Sequence, residues 1–345
     1  MNTEKRTDLA IVILPGIMAS ELRTTDGELV WSSKYSWMIW TMTFARKRLK
    51  ALKYPSTSPP LEAKDFVSRR WGHFGSGKFD RFRGYDRLID TLENIPTIDA
   101  ANIIKIPYDW RRPHLALALD TCEGGDRQDT IQTYLRDAIK KVEDARNCAE
   151  PNCNKPRVRL VIIGHSMGAV LAQLVLDRDR DLRNRVALFV AIGAPWRGAI
   201  APGLAIKNQR GTLGKVVRSF PSMTESVAWF DTAEDVLVNQ DLPKEHRKGR
   251  DALIKSLTSE TLAPDHLVVC VDRRTPSAFS KRRILRRWRL SADKEDAGDG
   301  VVHRKSSLPY GTHLHGIHCV SDEHTELPSN DEFLCLLRTW IKELK

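Results

Sequence analysis

Residues 158–168 read Val-Arg-Leu-Val-Ile-Ile-Gly-His-Ser-Met-Gly, a short apolar run that ends in Gly-x-Ser-x-Gly and leads straight into an apolar segment at 169–179. An apolar run without alternation belongs to a strand buried on both faces, so it calls for a parallel sheet covered by helices on either side. Glycines at both ends of the pentapeptide permit a tight, strained turn that lifts the Ser166 hydroxyl above the sheet edge. Few folds place a strand, such a turn and a helix in that order.

The rest of the chain supplies the alternation this reading needs. Residues 9–14 are a buried strand ended by Pro15-Gly16, and Leu88, Ile89 and Leu92 give residues 85–95 helical spacing. Ile103, Ile104 and Ile106 form a strand, and Ile131, Leu135, Ile139 and Val142 share one face of a helix over 130–146. Strands follow at 186–192 and 267–271, with a closing helix carrying Phe333, Leu334, Leu337, Trp340 and Ile341. Residues 273–298 are expected to be a charged loop. The prediction is one α/β domain over 1–345, a mostly parallel sheet flanked by helices. Two insertions interrupt it, a membrane-facing one at 29–80 and a lid or cap at 198–264, where no strand fits the sheet.

Composition restricts the class further. Hydrophobic residues at 41% and charged residues at 29% exclude a disordered or collagen-like chain. The apolar run at the N-terminus is only six residues long, and no segment reaches the roughly 20 apolar residues of a membrane span, so a cytoplasmic location is expected. Six sparse cysteines (Cys122, Cys148, Cys153, Cys270, Cys319, Cys335) lack zinc-ligand spacing and are read as reduced thiols. No metal and no organic cofactor is expected. The net charge of +11 concentrates in two acid-free stretches. One, at 29–61, holds Lys34, Arg46, Lys47, Arg48, Lys50 and Lys53 among Trp31, Tyr35, Trp37, Trp40, Phe44 and Tyr54; the other, at 273–289, holds eight basic residues. Aromatics mixed with Lys and Arg suit a peripheral contact with an anionic membrane, with Trp37, Trp40, Arg46, Lys47 and Arg48 as contact candidates. No nucleic-acid recognition motif accompanies the charge.

A serine hydroxyl needs a histidine to take its proton and a carboxylate to orient that histidine. On a strand-turn-helix elbow these follow in the order Ser, Asp/Glu, His. Asp299, flanked by Gly298 and Gly300, and His324, just ahead of the last helix, satisfy that order. Spacing alone leaves Asp293, Glu295 and Asp296 open as the acid, and His303, His313, His315 and His318 as the base. Arg111, two residues after Asp109, is read as bracing that carboxylate.

The chain resembles the lecithin:cholesterol acyltransferase family, which belongs to the α/β-hydrolase fold. The resemblance rests on Pro15 to Ser20 followed by Leu29-Val30-Trp31, on Pro107-Tyr108-Asp109-Trp110-Arg111, on the Gly164 to Gly168 elbow and on Gly193 to Gly198. Gly298 to Val302 and His324 with Asn330 complete it. Ala19, Arg197 and His303 depart from the usual residues, and the lid cysteine pair of secreted members is missing. By this resemblance Ser166 is the nucleophile, Asp299 the acid and His324 the base. The backbone N–H groups of Ile17 and Met167 form the oxyanion hole, and Trp196 is a candidate for the acyl pocket. The resemblance implies a serine-dependent acyl hydrolase or O-acyltransferase on glycerophospholipid esters, working through an acyl-enzyme. A carboxylesterase on small esters and an inactive binding module of the same fold are the alternatives.

Overall fold

A computed structural model describes residues 5–32, 45–55, 61–67, 84–119, 129–149, 157–208, 211–229, 242–258, 264–284, 287–295, 297–309 and 316–344; for 45–48, 148–149, 277–284 and 287–295 it describes the backbone alone. Trp37 and Trp40 lie outside the described residues, as do the side chains of Arg46, Lys47 and Arg48, which fall on the helix Ala45–Leu52.

The centre is a six-stranded sheet. In chain order its strands are β1 (Leu9–Leu14), β5 (Ile103–Lys105), β6 (Arg159–His165), β7 (Val186–Ile192), β8 (His266–Val269) and β11 (Ile317–Cys319). They lie in the order β11-β8-β7-β6-β1-β5, and every pairing is parallel. Each strand of the middle is apolar on both faces because both faces are covered. Ala10, Val12, Leu14, Leu160 and Ile162 point into one core with Leu135 and Ile139 of the helix Ile131–Ala149 and with the helix Met167–Arg178. Leu9, Ile11, Ile13, Val161 and Ile163 point into the other, against Leu88 and Leu92 of the helix Asp86–Glu93 and Phe333, Leu337 and Trp340 of Asp331–Glu343. The helix Met167–Arg178 is buried from Met167 to Leu176, so it shows no polar stripe. Its outer side is covered by the helix His114–Ala118, on which Lys244–Thr258 packs in turn.

Two smaller sheets flank this layer. The strands β2 (Ser20–Thr24), β3 (Leu29–Trp31) and β4 (Leu61–Phe66) form an antiparallel sheet in the order β3-β2-β4. The stretch expected to be a charged loop is instead an antiparallel hairpin, β9 (Thr275–Ile284) paired with β10 (Arg287–Glu295). Its period of two was legible in Trp288, Leu290 and Ala292, but the density of arginine and lysine hid it. Between 198 and 264 the described elements are the helices Ile200–Asn208, Gly211–Val217, Pro221–Glu225 and Lys244–Thr258. One of these is pinned to the body by a buried acid. Glu225 Oε2 accepts the His114 backbone N–H at 2.6 Å and lies 2.6 Å from His114 Nδ1. At the strand ends where β1 and β6 begin, Arg6 donates to Asp8 and, at 2.6 Å, to the carbonyl of Leu344.

Candidate active site

Ser166 follows β6 with φ 52° and ψ −124°, a strained conformation that only tight packing sustains. The two glycines of the elbow supply that packing. A Cβ on Gly164 would fall 2.5 Å from Ala169 Cα, and one on Gly168 would fall 2.5 Å from Leu14 O. Glycine therefore lets the helix close onto β1 and β6, with Ser166 at the apex.

The partners arrive from the same end of neighbouring strands. Asp299 stands in the loop beyond β8 and its hairpin, and His324 stands between β11 and the last helix, whose N-terminus is capped by Asn330 accepting from Phe333 N. His324 Nδ1 lies 2.7 Å from Asp299 Oδ2, and Nε2 lies 3.0 Å from Ser166 Oγ. Because a carboxylate only accepts, Nδ1 carries the proton and Nε2 presents its lone pair to the hydroxyl. Asp299 Oδ1 is held by the N–H groups of Val301 at 3.0 Å and Val302 at 2.7 Å, and the Asp299 carbonyl accepts from His324 N at 2.9 Å. All three side chains are buried. Burial alone pushes the Asp299 carboxyl up, yet His324 and the two N–H groups outweigh it and hold it below the usual carboxylate range.

The other candidates fall elsewhere. The register sets Asp293 opposite Ala278 and Glu295 opposite Thr275, and Asp296 lies outside the described residues. His303 is buried in the turn after Asp299, where its Nδ1 accepts from Lys305 N. His318 Nε2 lies 3.2 Å from His266 Nδ1, while His313 and His315 are outside the described residues.

Gly16, in the loop after β1, packs directly on the elbow: a Cβ there would lie 3.1 Å from Ser166 Cβ. Ile17 follows it. Met167 is the first residue of its helix, so its N–H has no acceptor within that helix. Trp196 is buried, with its backbone N–H donated to Ser306 O, and its indole Nε1 has no partner among the described residues. Arg111 forms a fork on Asp109, Nε to Oδ1 and Nη2 to Oδ2 at 2.8 Å each, and also donates to Leu52 O. Its neighbour Trp110 donates to Ser20 O and packs edge-on to Trp31 and Phe220. That block ties β2 to the end of the helix Ala45–Leu52.

Two buried residues were missed by sequence reasoning. Tyr85 Oη lies 2.8 Å from His165 Nδ1 and accepts from Gly16 N at 2.8 Å, and His165 Nε2 faces the His324 carbonyl at 3.0 Å. The position of His165 inside the elbow was the one available signal. Among the described residues no cluster of three or more His, Cys, Asp or Glu is arranged to hold a metal ion, and no helix is long and apolar enough to cross a membrane.

Residues 66–230 match the family model described as lecithin:cholesterol acyltransferase. No curated protein matches the sequence. Among solved structures, the chain is similar to a chain of the Tle4–Tli4 complex, with a TM-score of 0.55 and 11% identity, covering 99% of this chain and 100% of that one. It also matches the Bacillus licheniformis lipase BlEst2 in mature form, at TM-score 0.40 and 12% identity over 98% of this chain and 94% of that one. Lipase 1 from Pelosinus fermentans matches at TM-score 0.36 and 10% identity over 100% and 99%. The elbow lies inside the matched segment, and Asp299 and His324 lie beyond it. Residues 66–230, a little under half of the chain, thus match the lecithin:cholesterol acyltransferase family, on a parallel six-stranded sheet covered by helices on both faces.

Proposed function

We propose that the protein is a serine-dependent lipid acyl hydrolase or O-acyltransferase that takes its acyl group from a glycerophospholipid ester. The observation that carries this reading is the unbroken Ser166–His324–Asp299 hydrogen-bond series at a strained elbow. Ser166 Oγ attacks the ester carbonyl as His324 Nε2 takes its proton, and Asp299 stabilises the imidazolium so formed. The tetrahedral oxygen is received by the N–H groups of Ile17 and Met167, as the acyl-transfer chemistry of such elbows requires. Collapse breaks the bond to the leaving alcohol, which receives the proton from His324, and leaves an acyl-serine. Water or an acceptor alcohol then attacks that ester by the same steps in reverse.

The family match supports a lipid ester as substrate, and the indole N–H of Trp196, without a partner among the described residues, supports its placement in the acyl pocket facing the ester oxygens. The aromatic and basic composition of 29–61 supports a peripheral contact with an anionic lipid surface through Trp37, Trp40, Arg46, Lys47 and Arg48. In this reading residues 198–264 form the cap over the site.

The test is product analysis by mass spectrometry on vesicles of mixed phospholipids, with and without an added alcohol. The parental protein is expected to release fatty acid or transfer it to the alcohol, and Ser166→Ala to lose at least about 10⁴-fold of that rate. A Ser166→Ala protein that turns over at the parental rate sinks the proposal. Turnover confined to small soluble esters identifies a carboxylesterase instead.

A further inference from the structure

The peptide between Pro15 and Gly16 is gripped on both sides by buried tyrosines. Tyr108 donates its hydroxyl to Pro15 O, and Gly16 N–H donates to Tyr85 Oη at 2.8 Å. Neither phenol is replaceable by water there, since Tyr85 and Tyr108 are 3% and 2% exposed. Burial raises both phenols well above their ordinary range, so both remain protonated donors.

Tyr85 has therefore one proton to give, and His165 Nδ1 lies 2.8 Å away to receive it. The direction of that bond is fixed from the far side of the ring. His165 Nε2 sits 3.0 Å from the His324 carbonyl, an oxygen that only accepts, so Nε2 bears the hydrogen. A neutral ring with its hydrogen on Nε2 offers a lone pair at Nδ1, which is what the tyrosine hydroxyl meets. The result is a one-way series running from Gly16 N–H to Tyr85 O–H to His165 Nδ1, and from His165 Nε2–H to the carbonyl of His324.

Its ends are the two parts of the site that must keep a common distance from Ser166. Gly16 packs on Ser166 and precedes Ile17, and His324 is the residue hydrogen-bonded to the Ser166 hydroxyl. His165 is also the neighbour of Ser166 in the chain. We propose that Tyr85 and His165 are positioning residues, a directed hydrogen-bond series that holds the loop bearing Ile17 and the backbone of His324 in register about the nucleophile. The proposal rests on the acyl-transfer reading of Ser166 and His324. Packing alone does not account for the arrangement, because a Phe and a Leu would fill the same space, and each polar atom along the series has its partner in place. Burial, with the nearby His324 as a lesser cause, pushes the His165 imidazole down to about 3, which keeps the ring in the neutral form the series needs.

Two measurements test this. In the parental protein, ¹⁵N spectra of labelled histidine are expected to show His165 as the neutral tautomer protonated on Nε2 between pH 8 and pH 5. A charged ring or an Nδ1–H tautomer in that range overturns the proposal without reference to activity. Tyr85→Phe keeps the ring and removes only the hydroxyl that joins the two halves. It is expected to lower kcat on a soluble p-nitrophenyl ester about 10- to 100-fold while KM stays within about twofold, the pattern of a lost transition-state contact. A folded Tyr85→Phe protein with parental kcat overturns the series as a positioning device. Labelling of parental Ser166 by a fluorophosphonate separates the two proposals: absence of labelling removes the acyl-transfer reading, whereas labelling together with an unaffected Tyr85→Phe removes only this one. Should Tyr85→Phe fail to fold, the tautomer measurement still decides.

Discussion

His165 and Asp299 both hold their pKa below the ordinary value, and for different reasons. Burial disfavours the His165 imidazolium, whereas Asp299 is lowered, against its burial, by His324 and two N–H donors. For His165 the folded chain refuses a proton until about pH 3, while the unfolded chain accepts it near 6.5. Stability from this group is thus full above pH 6.5 and is lost as pH falls towards 3, by up to about 5 kcal/mol. Asp299 contributes above the unfolded carboxylate value and loses its part only at lower pH, as it titrates in the folded chain. Urea midpoints are expected to fall steadily between pH 6.5 and pH 4, with a visibly shallower decline in His165→Gln. Equal slopes for the two proteins would assign the acid sensitivity to another group. Ser166 was legible because its motif carries a spacing. Asp299 and His324 were two among several candidates until the strand ends brought them to 2.7 Å. Tyr85 was not legible at all, since one tyrosine ahead of a helix has no period and no motif.

Elements differ in how much close approach they demand. At Gly168 an added Cβ would meet Leu14 O at 2.5 Å and Pro15 O at 2.6 Å, backbone atoms of a central strand and its loop that have nowhere to go. Gly27, with φ 90°, has nothing within 4 Å. Gly168→Ala is therefore expected to lower the unfolding free energy by about 3 kcal/mol or more and to move the elbow helix, while Gly27→Ala costs about 1 kcal/mol of backbone strain alone. Chemical denaturation of the pair checks the ordering. Elements with long apolar runs or clear helical spacing, such as β6, β7 and the last helix, are legible in the sequence. Short or charge-rich elements are not. Strands β3, β5 and β11 have three residues each, too few to show a period, although β5 was caught by its isoleucines. The hairpin β9–β10 alternates, but its many cations give it the composition of a solvated loop.

At the scale of the molecule, the parallel sheet gathers residues that are 158 positions apart, from Ser166 to His324, at one set of strand ends. Such convergence follows from parallel topology, in which every strand leaves the sheet on the same side, and ligand sites sit at the carboxyl ends for that reason. It was legible in outline, because alternating strands and helices imply a parallel sheet. The strand order was not, since no local signal says that β6 lies between β7 and β1.

The opposite set of strand ends holds the contact between Arg6 and the carbonyl of Leu344. The first and last described segments of the chain are thereby neighbours, on the side of the sheet away from Ser166. A circular permutant, with the ends joined by a short Gly/Ser linker and new termini opened between the exposed residues Asp26 and Gly27, is expected to fold and to keep Ser166 reactive towards a fluorophosphonate. A permutant that folds but leaves the serine inert would show that the order of the chain, and not only its packing, sets the elbow.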